Sequence, residues 1–139
     1  MKKFILFLIC AVTAVSLCSC SDFGFNPTGH WKFVSDTLYA DGKEIDATLA
    51  EDNRFLDDMF IIFEKSGTGY LRSSGEKLEL FNYSYDNDTI TVTYLPNEHH
   101  KEVTVQFKPS QDGKTIVRYT HDKENGIDYR EENLYKKIF

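Results

Sequence analysis

The stretch 89-TITVTYLPNEHHKEVTVQF-107 carries the clearest structural signal in the chain. Ile90, Val92 and Tyr94 alternate with Thr89, Thr91 and Thr93, and after PNEHH the pattern resumes as Val103, Val105 and Phe107 against Thr104 and Gln106. Side chains on an extended strand alternate between two faces, so each run has one dry and one wet side. Two such runs joined by a short polar turn predict neighbouring antiparallel strands over a single core.

Working outward, runs of the same kind recur between turn signals. They lie at 31–39, 59–64, 70–73, 78–85, 89–94, 101–107, 114–121 and 127–138, and Asp41-Gly42 and Asn125-Gly126 are strong hairpin pairs. In the fourth run the apolar phase slips from Leu78 and Leu80 to Phe81, Tyr83 and Tyr85, which predicts a β-bulge. Residues 45–58, IDATLAEDNRFLDD, keep helical spacing only loosely and are read as a loop with one or two helical turns. Eight strands with short connections lose their exposed edges most simply by closing. The expected fold is therefore all-β, an eight-stranded antiparallel up-and-down barrel; a two-sheet β-sandwich or open half-barrel is the alternative.

The N-terminus has a different character. Lys2 and Lys3 precede a short, almost wholly apolar segment from Phe4 to Leu17, the pattern of an export leader. That segment is too short to span a bilayer, which takes roughly 20 residues. Leu17-Cys18-Ser19-Cys20 resembles the lipobox of bacterial lipoproteins, which implies cleavage before Cys20 and its acylation. The expected organisation is a leader at 1–19, a lipidated N-terminus and tether at 20–28, and one barrel domain at 29–139. Cleavage would remove two of the 16 basic residues and none of the 22 acidic ones, so the net charge falls from −6 to −8. Such acidity argues against nucleic acid as a partner and against a polybasic membrane patch, leaving the lipid as the membrane attachment.

Gly29-His30-Trp31 then acquires a context. A Gly-x-Trp at the head of the first strand, with TGHWKFVS, IIFEKSGTGYL and LYKKIF in this order, resembles the small lipocalin-like lipoproteins of Bacteroidetes. The resemblance implies an outer-membrane lipoprotein carrying fatty-acyl chains such as palmitate, its domain in the periplasm by default and surface exposure as the alternative. It also implies that Gly29 and Trp31 sit at the closed base of the barrel, the indole under a basic side chain from near the last strand, with Arg130 first and Arg118 second as candidates. Phe81, Tyr83, Val92, Tyr94, Val105, Phe107 and Tyr119 are the candidate walls of a ligand cavity.

Signatures of catalysis are absent. There is no Gly-x-Ser-x-Gly elbow or phosphate loop, and removal of Cys10 and Cys18 with the leader would leave no free thiol. His99 and His100 are adjacent and so point apart, which works against metal binding even if His121 approaches from another strand. Asp86-Asn87-Asp88 lacks the glycine and bidentate glutamate of a calcium loop and reads as a hairpin turn. No cofactor or metal is expected. The sequence is read as non-enzymatic: a binding module for a small apolar or amphipathic ligand or, alternatively, an envelope accessory protein whose surface binds another protein or a glycan.

Overall fold

The computed structural model describes residues 25–139. Its strands are β1 (Gly29–Ala40), β2 (Lys43–Leu49), β3 (Met59–Phe63), β4 (Thr68–Ser73), β5 (Glu76–Asp86), β6 (Thr89–Tyr94), β7 (Val103–Pro109), β8 (Thr115–Glu124) and β9 (Ile127–Lys137). All pairings are antiparallel, and β1 meets β9, so β1 and β3 to β9 close an eight-stranded up-and-down barrel. Leader, Cys20 and residues 21–24 lie outside the described residues.

The ninth strand corrects the reading of residues 45–58. β2 continues the Asp41-Gly42 hairpin and pairs with β1 from Ser35 to Ala40, where β3 has already left that edge after Lys32. Weak helical spacing lost to the hairpin turn, which fixes the chain direction and presents a free edge. Only residues 50–57 coil, as a 3-10 turn (Ala50–Asp52) and a single α-turn, α1 (Arg54–Asp57). Ala50 is buried, and Leu56 and Met59 pack against the core at this end.

The barrel therefore has two unlike ends. At the base β1, β3, β7, β8 and β9 pair continuously, but β7 and β8 share only Phe107↔Arg118, Lys108↔Val117 and Pro109↔Ile116 before separating. Toward the opposite end, the mouth, the outer parts of β8, β9, β1 and β2 run on as a four-stranded sheet whose β2 and outer β8 residues are largely exposed.

Gly29 and Trp31 lie at the base. Gly29 has φ +137°, and a Cβ there would come within 2.5 Å of the Phe139 carbonyl oxygen, so glycine lets the two backbones meet. His30 N–H donates to Phe139 O at 2.6 Å and Ile138 N–H to His30 O at 2.8 Å. The indole is fully buried, and its Nε1–H donates to Pro27 O at 2.8 Å. Phe25 packs at a tilt against Tyr85 with ring centroids 4.9 Å apart and reaches Trp31 at 6.1 Å. Residues 25–28, expected in the tether, are thus part of the folded domain, because burying Trp31 requires an acceptor for its N–H and a lid for its ring.

The bulge falls at Leu78, skipped between Leu71↔Glu79 and Arg72↔Lys77. It leaves Lys77 and Leu78 on the same outer side, whereas beyond it plain alternation holds, with Glu79 and the buried Phe81 inward and Leu80 outward. The bulge thus lies ahead of the apolar slip that predicted it, and Leu78 and Leu80, 44% and 52% exposed, are leucines of the outer face.

Candidate functional site at the barrel mouth

The inward positions from base to middle are occupied by their own side chains. Trp31, Phe33, Ile61, Phe63, Phe81, Ile90, Val92, Phe107, Ile116 and Tyr135 form one buried cluster, with Phe63 edge-on to Tyr83 at 4.9 Å and Phe107 to Tyr135 at 5.8 Å. An eight-stranded barrel is just wide enough for side chains to fill, and this aromatic load fills it. Gly69 makes room: a Cβ there would collide with Ile62 O and stand 2.5 Å from the Phe81 ring.

The expected cavity walls divide accordingly. Phe81, Val92 and Phe107 are core, Val105 packs half-buried against it, and Tyr83 turns its hydroxyl out to donate to Glu64 O at 2.6 Å. Tyr119 faces outward, 51% exposed, because the inward phase of β8 runs through Ile116 and Arg118; its place as a cavity wall is corrected. Of the seven, Tyr94 alone lines an open recess facing into the barrel.

That recess is a cleft of about 230 Å³ at the mouth, lined by Leu71, Glu79, Tyr94, His100, Val103 and Arg118. All but His100 belong to strands. Leu71 pairs with Glu79, Tyr94 with Val103, and Arg118 follows the buried Ile116 on β8, so all share the inward face where β7 and β8 part. His100 reaches in from the loop ahead of β7. Its Nε2–H donates to Glu79 Oε1 at 2.7 Å and its Nδ1–H to Lys101 O at 2.6 Å. Two acceptors on one ring favour the imidazolium and hold the His100 pKa above its ordinary value, the Lys101 carbonyl first and Glu79 second. Burial pushes the Tyr94 phenol up to about 12, opposed by Arg118.

A second group lies beside it on the inward face of the outer sheet. Asp36 pairs across β9 Asn133 to β8 Arg118, and Glu131 projects from the same face of β9. Asp36 Oδ1 is buried without a donor. Its carboxyl is raised to about 6, chiefly by desolvation, then by sharing a proton with Glu131 and by the charges of Glu131 and Asp46, while Arg118 pulls it down.

Both expected basic partners of Trp31 are corrected. Arg130 stands on the outer face with its guanidinium carbon 4.5 Å above Tyr39, and Arg118 belongs to the mouth. The cation over the indole is Lys137, its Nζ 5.4 Å from the ring. β9 is antiparallel to β1, so residues near its end, rather than Arg130, come level with Trp31. His121 is drawn to Asp128 and does not approach His99 or His100. Among the described residues no three His, Cys, Asp or Glu side chains group as a metal site.

Sequence reasoning missed Leu71, Glu79, His100 and Val103 as neighbours. The signal for Glu79 is plain alternation, since it lies two residues before the inward Phe81 on the same strand. Chemically the cleft offers an apolar wall from Leu71, Val103 and the Tyr94 ring, facing a guanidinium and an imidazole–carboxylate pair. It suits one end of an amphipathic molecule. At about 230 Å³ it falls below the roughly 300–1,000 Å³ of pockets that enclose a small molecule. No protein-family model, curated protein or solved structure matches this chain.

Proposed function

We propose that the protein is a lipid-anchored lipoprotein of the cell envelope, of the small lipocalin-like type, that binds one end of a small amphipathic ligand at its barrel mouth without chemical turnover. The observation that carries this reading is the amphipathic cleft of Leu71, Tyr94, Val103, Glu79, His100 and Arg118 above a barrel filled with its own side chains. A filled barrel leaves the rim for binding, and apolar walls with a few convergent polar groups are what small-molecule sites require. The leader and Leu17-Cys18-Ser19-Cys20 support the anchor. Because residues 25–28 dock at the base, an anchor at Cys20 would leave the mouth facing away from the membrane.

Native mass spectrometry of the protein, extracted mildly from its own envelope, tests the binding. A bound species of a few hundred daltons, lost when Val103→Arg fills the cleft, is the expected result; a mass equal to the acylated chain alone from repeated extractions would refute it. Membrane fractionation of Cys20→Ser tests the anchor separately, with release into the soluble fraction expected.

A further inference from the structure

On the outer face of the sheet beyond the mouth lies a cleft of about 410 Å³ that the mouth site does not use. It is lined by Tyr39, Gly42, Tyr119, His121, Asp128 and Arg130. Register assembles it: Tyr39, Arg130 and His121 are successive partners across β1, β9 and β8, and Tyr119 lies two residues along β8 on the same face. Its frame is tied at the tips of the two hairpins. Asp41 N–H donates to Asp128 O at 2.7 Å, and Asp128 N–H donates to Asp41 Oδ1 at 3.0 Å.

The chemistry of the lining selects the ligand. Arg130 and Asp128 cancel in formal charge, and each is engaged, Arg130 Nη2 with Glu132 Oε2 at 3.0 Å and Asp128 with the His121 ring. An ionic ligand would have to displace one of these pairs. What remains unspent is the exposed Tyr119 ring, the tyrosine hydroxyls, the second carboxylate oxygen of Asp128, since His121 takes only Oδ1, and the further N–H groups of a guanidinium that carries five. The open Tyr119 ring, beside planar hydrogen-bonding groups whose charges are paired and a Tyr39 ring already covered by Arg130, matches a molecule with an apolar C–H face and a rim of hydroxyls. We propose that this cleft binds a neutral sugar ring of a glycan, stacked on Tyr119 with its hydroxyls bonded to Arg130 and Asp128.

The test is saturation-transfer NMR on the full-length protein in a non-glycosidic detergent, with gluco-, manno- and galacto-configured neutral oligosaccharides as probes and oligogalacturonate as the charged comparison. Saturation of sugar C–H protons by a neutral probe is expected, with affinity falling about tenfold in Tyr119→Ala and persisting in Tyr119→Trp, which keeps a ring face. Tyr119 is half exposed, so the replacements leave the fold intact, as circular dichroism checks. Val103→Arg, at the mouth, leaves sugar binding unchanged and separates this site from the proposed function. Transfer to none of the neutral probes, a stronger response to oligogalacturonate, or equal affinity in Tyr119→Ala would each overturn the proposal.

Discussion

Replacing Asp36 with asparagine removes a carboxyl that the fold tolerates poorly as an anion. Asp36 is half-buried, its Oδ1 has no donor, and Glu131 and Asp46 face it from β9 and β2 with only Arg118 in opposition. Its pKa rises from 3.8 to about 6, so between these values the folded protein holds a proton that the unfolded chain releases. The folded state then binds more protons, and stability falls as pH rises through that window. A rise of that size corresponds to roughly 3 kcal/mol at full strength, and solvent access at the open mouth reduces this to about 1–1.5 kcal/mol. The asparagine has no proton to lose, and its amide can donate to Glu131. Urea unfolding at pH 4 and pH 8 is the assay: Asp36→Asn gains about 1 kcal/mol over wild type at pH 8, and the gain vanishes at pH 4. Parallel pH profiles for the two proteins would refute the reasoning, because the burdened carboxylate would then not exist.

Four further outcomes follow from geometry already described. Gly69→Ala forces a methyl into Ile62 O and the Phe81 ring and costs several kcal/mol, read as loss of cooperative thermal unfolding or a large fall in Tm. Phe107→Ala empties the middle of the aromatic stack and costs about 3–5 kcal/mol in urea unfolding. Lys137→Ala removes the cation over Trp31 and a hydrogen bond to Asn26 O, so stability falls by about 0.5–1 kcal/mol with a change in tryptophan emission, whereas Arg130→Ala leaves that emission unchanged. In an NMR titration His100 loses its proton above the ordinary imidazole value, and Glu79→Gln lowers the midpoint; the pair's contribution to stability is full below the unfolded value and fades as pH rises through the folded one.

How far the sequence reached is visible in particular strands. β6 could be read residue by residue, and the inward and outward faces of β7 likewise, though that strand runs from Val103 to Pro109 rather than over 101–107, because strict alternation of Val, Ile and Thr has one meaning when one face is dry. The slip of Leu78 and Leu80 against Phe81 points to a bulge in β5, but the bulge sits ahead of it at Leu78, and the slip itself reflects exposed leucines on the outer face. β2 was not legible, since Lys43–Leu49 is nearly all exposed and owes its extension to the turn before it and to the edge that β1 presents. The site was harder still. Tyr119 looked like an inward aromatic because its phase on β8 depends on the register with β9, which local pattern does not carry, and Arg130 was matched to Trp31 by residue type where only the antiparallel register could choose Lys137. The mouth cleft draws on β4, β5, β6, β7, β8 and the loop before β7, and no local window contains such a set.

The pairing of β1 with β9 also sets the order in which the chain can fold. From β3 to β9 each barrel neighbour is also the next strand in sequence, and β1 reaches β3 across the β2 excursion, whereas Trp31 meets Lys137 only after about a hundred residues have intervened. Hairpins from β3 to β9 can assemble early, yet β1 keeps an open edge, and Trp31 has no cover, until the ninth strand arrives. A chain built this way stays loose until its last strand is available.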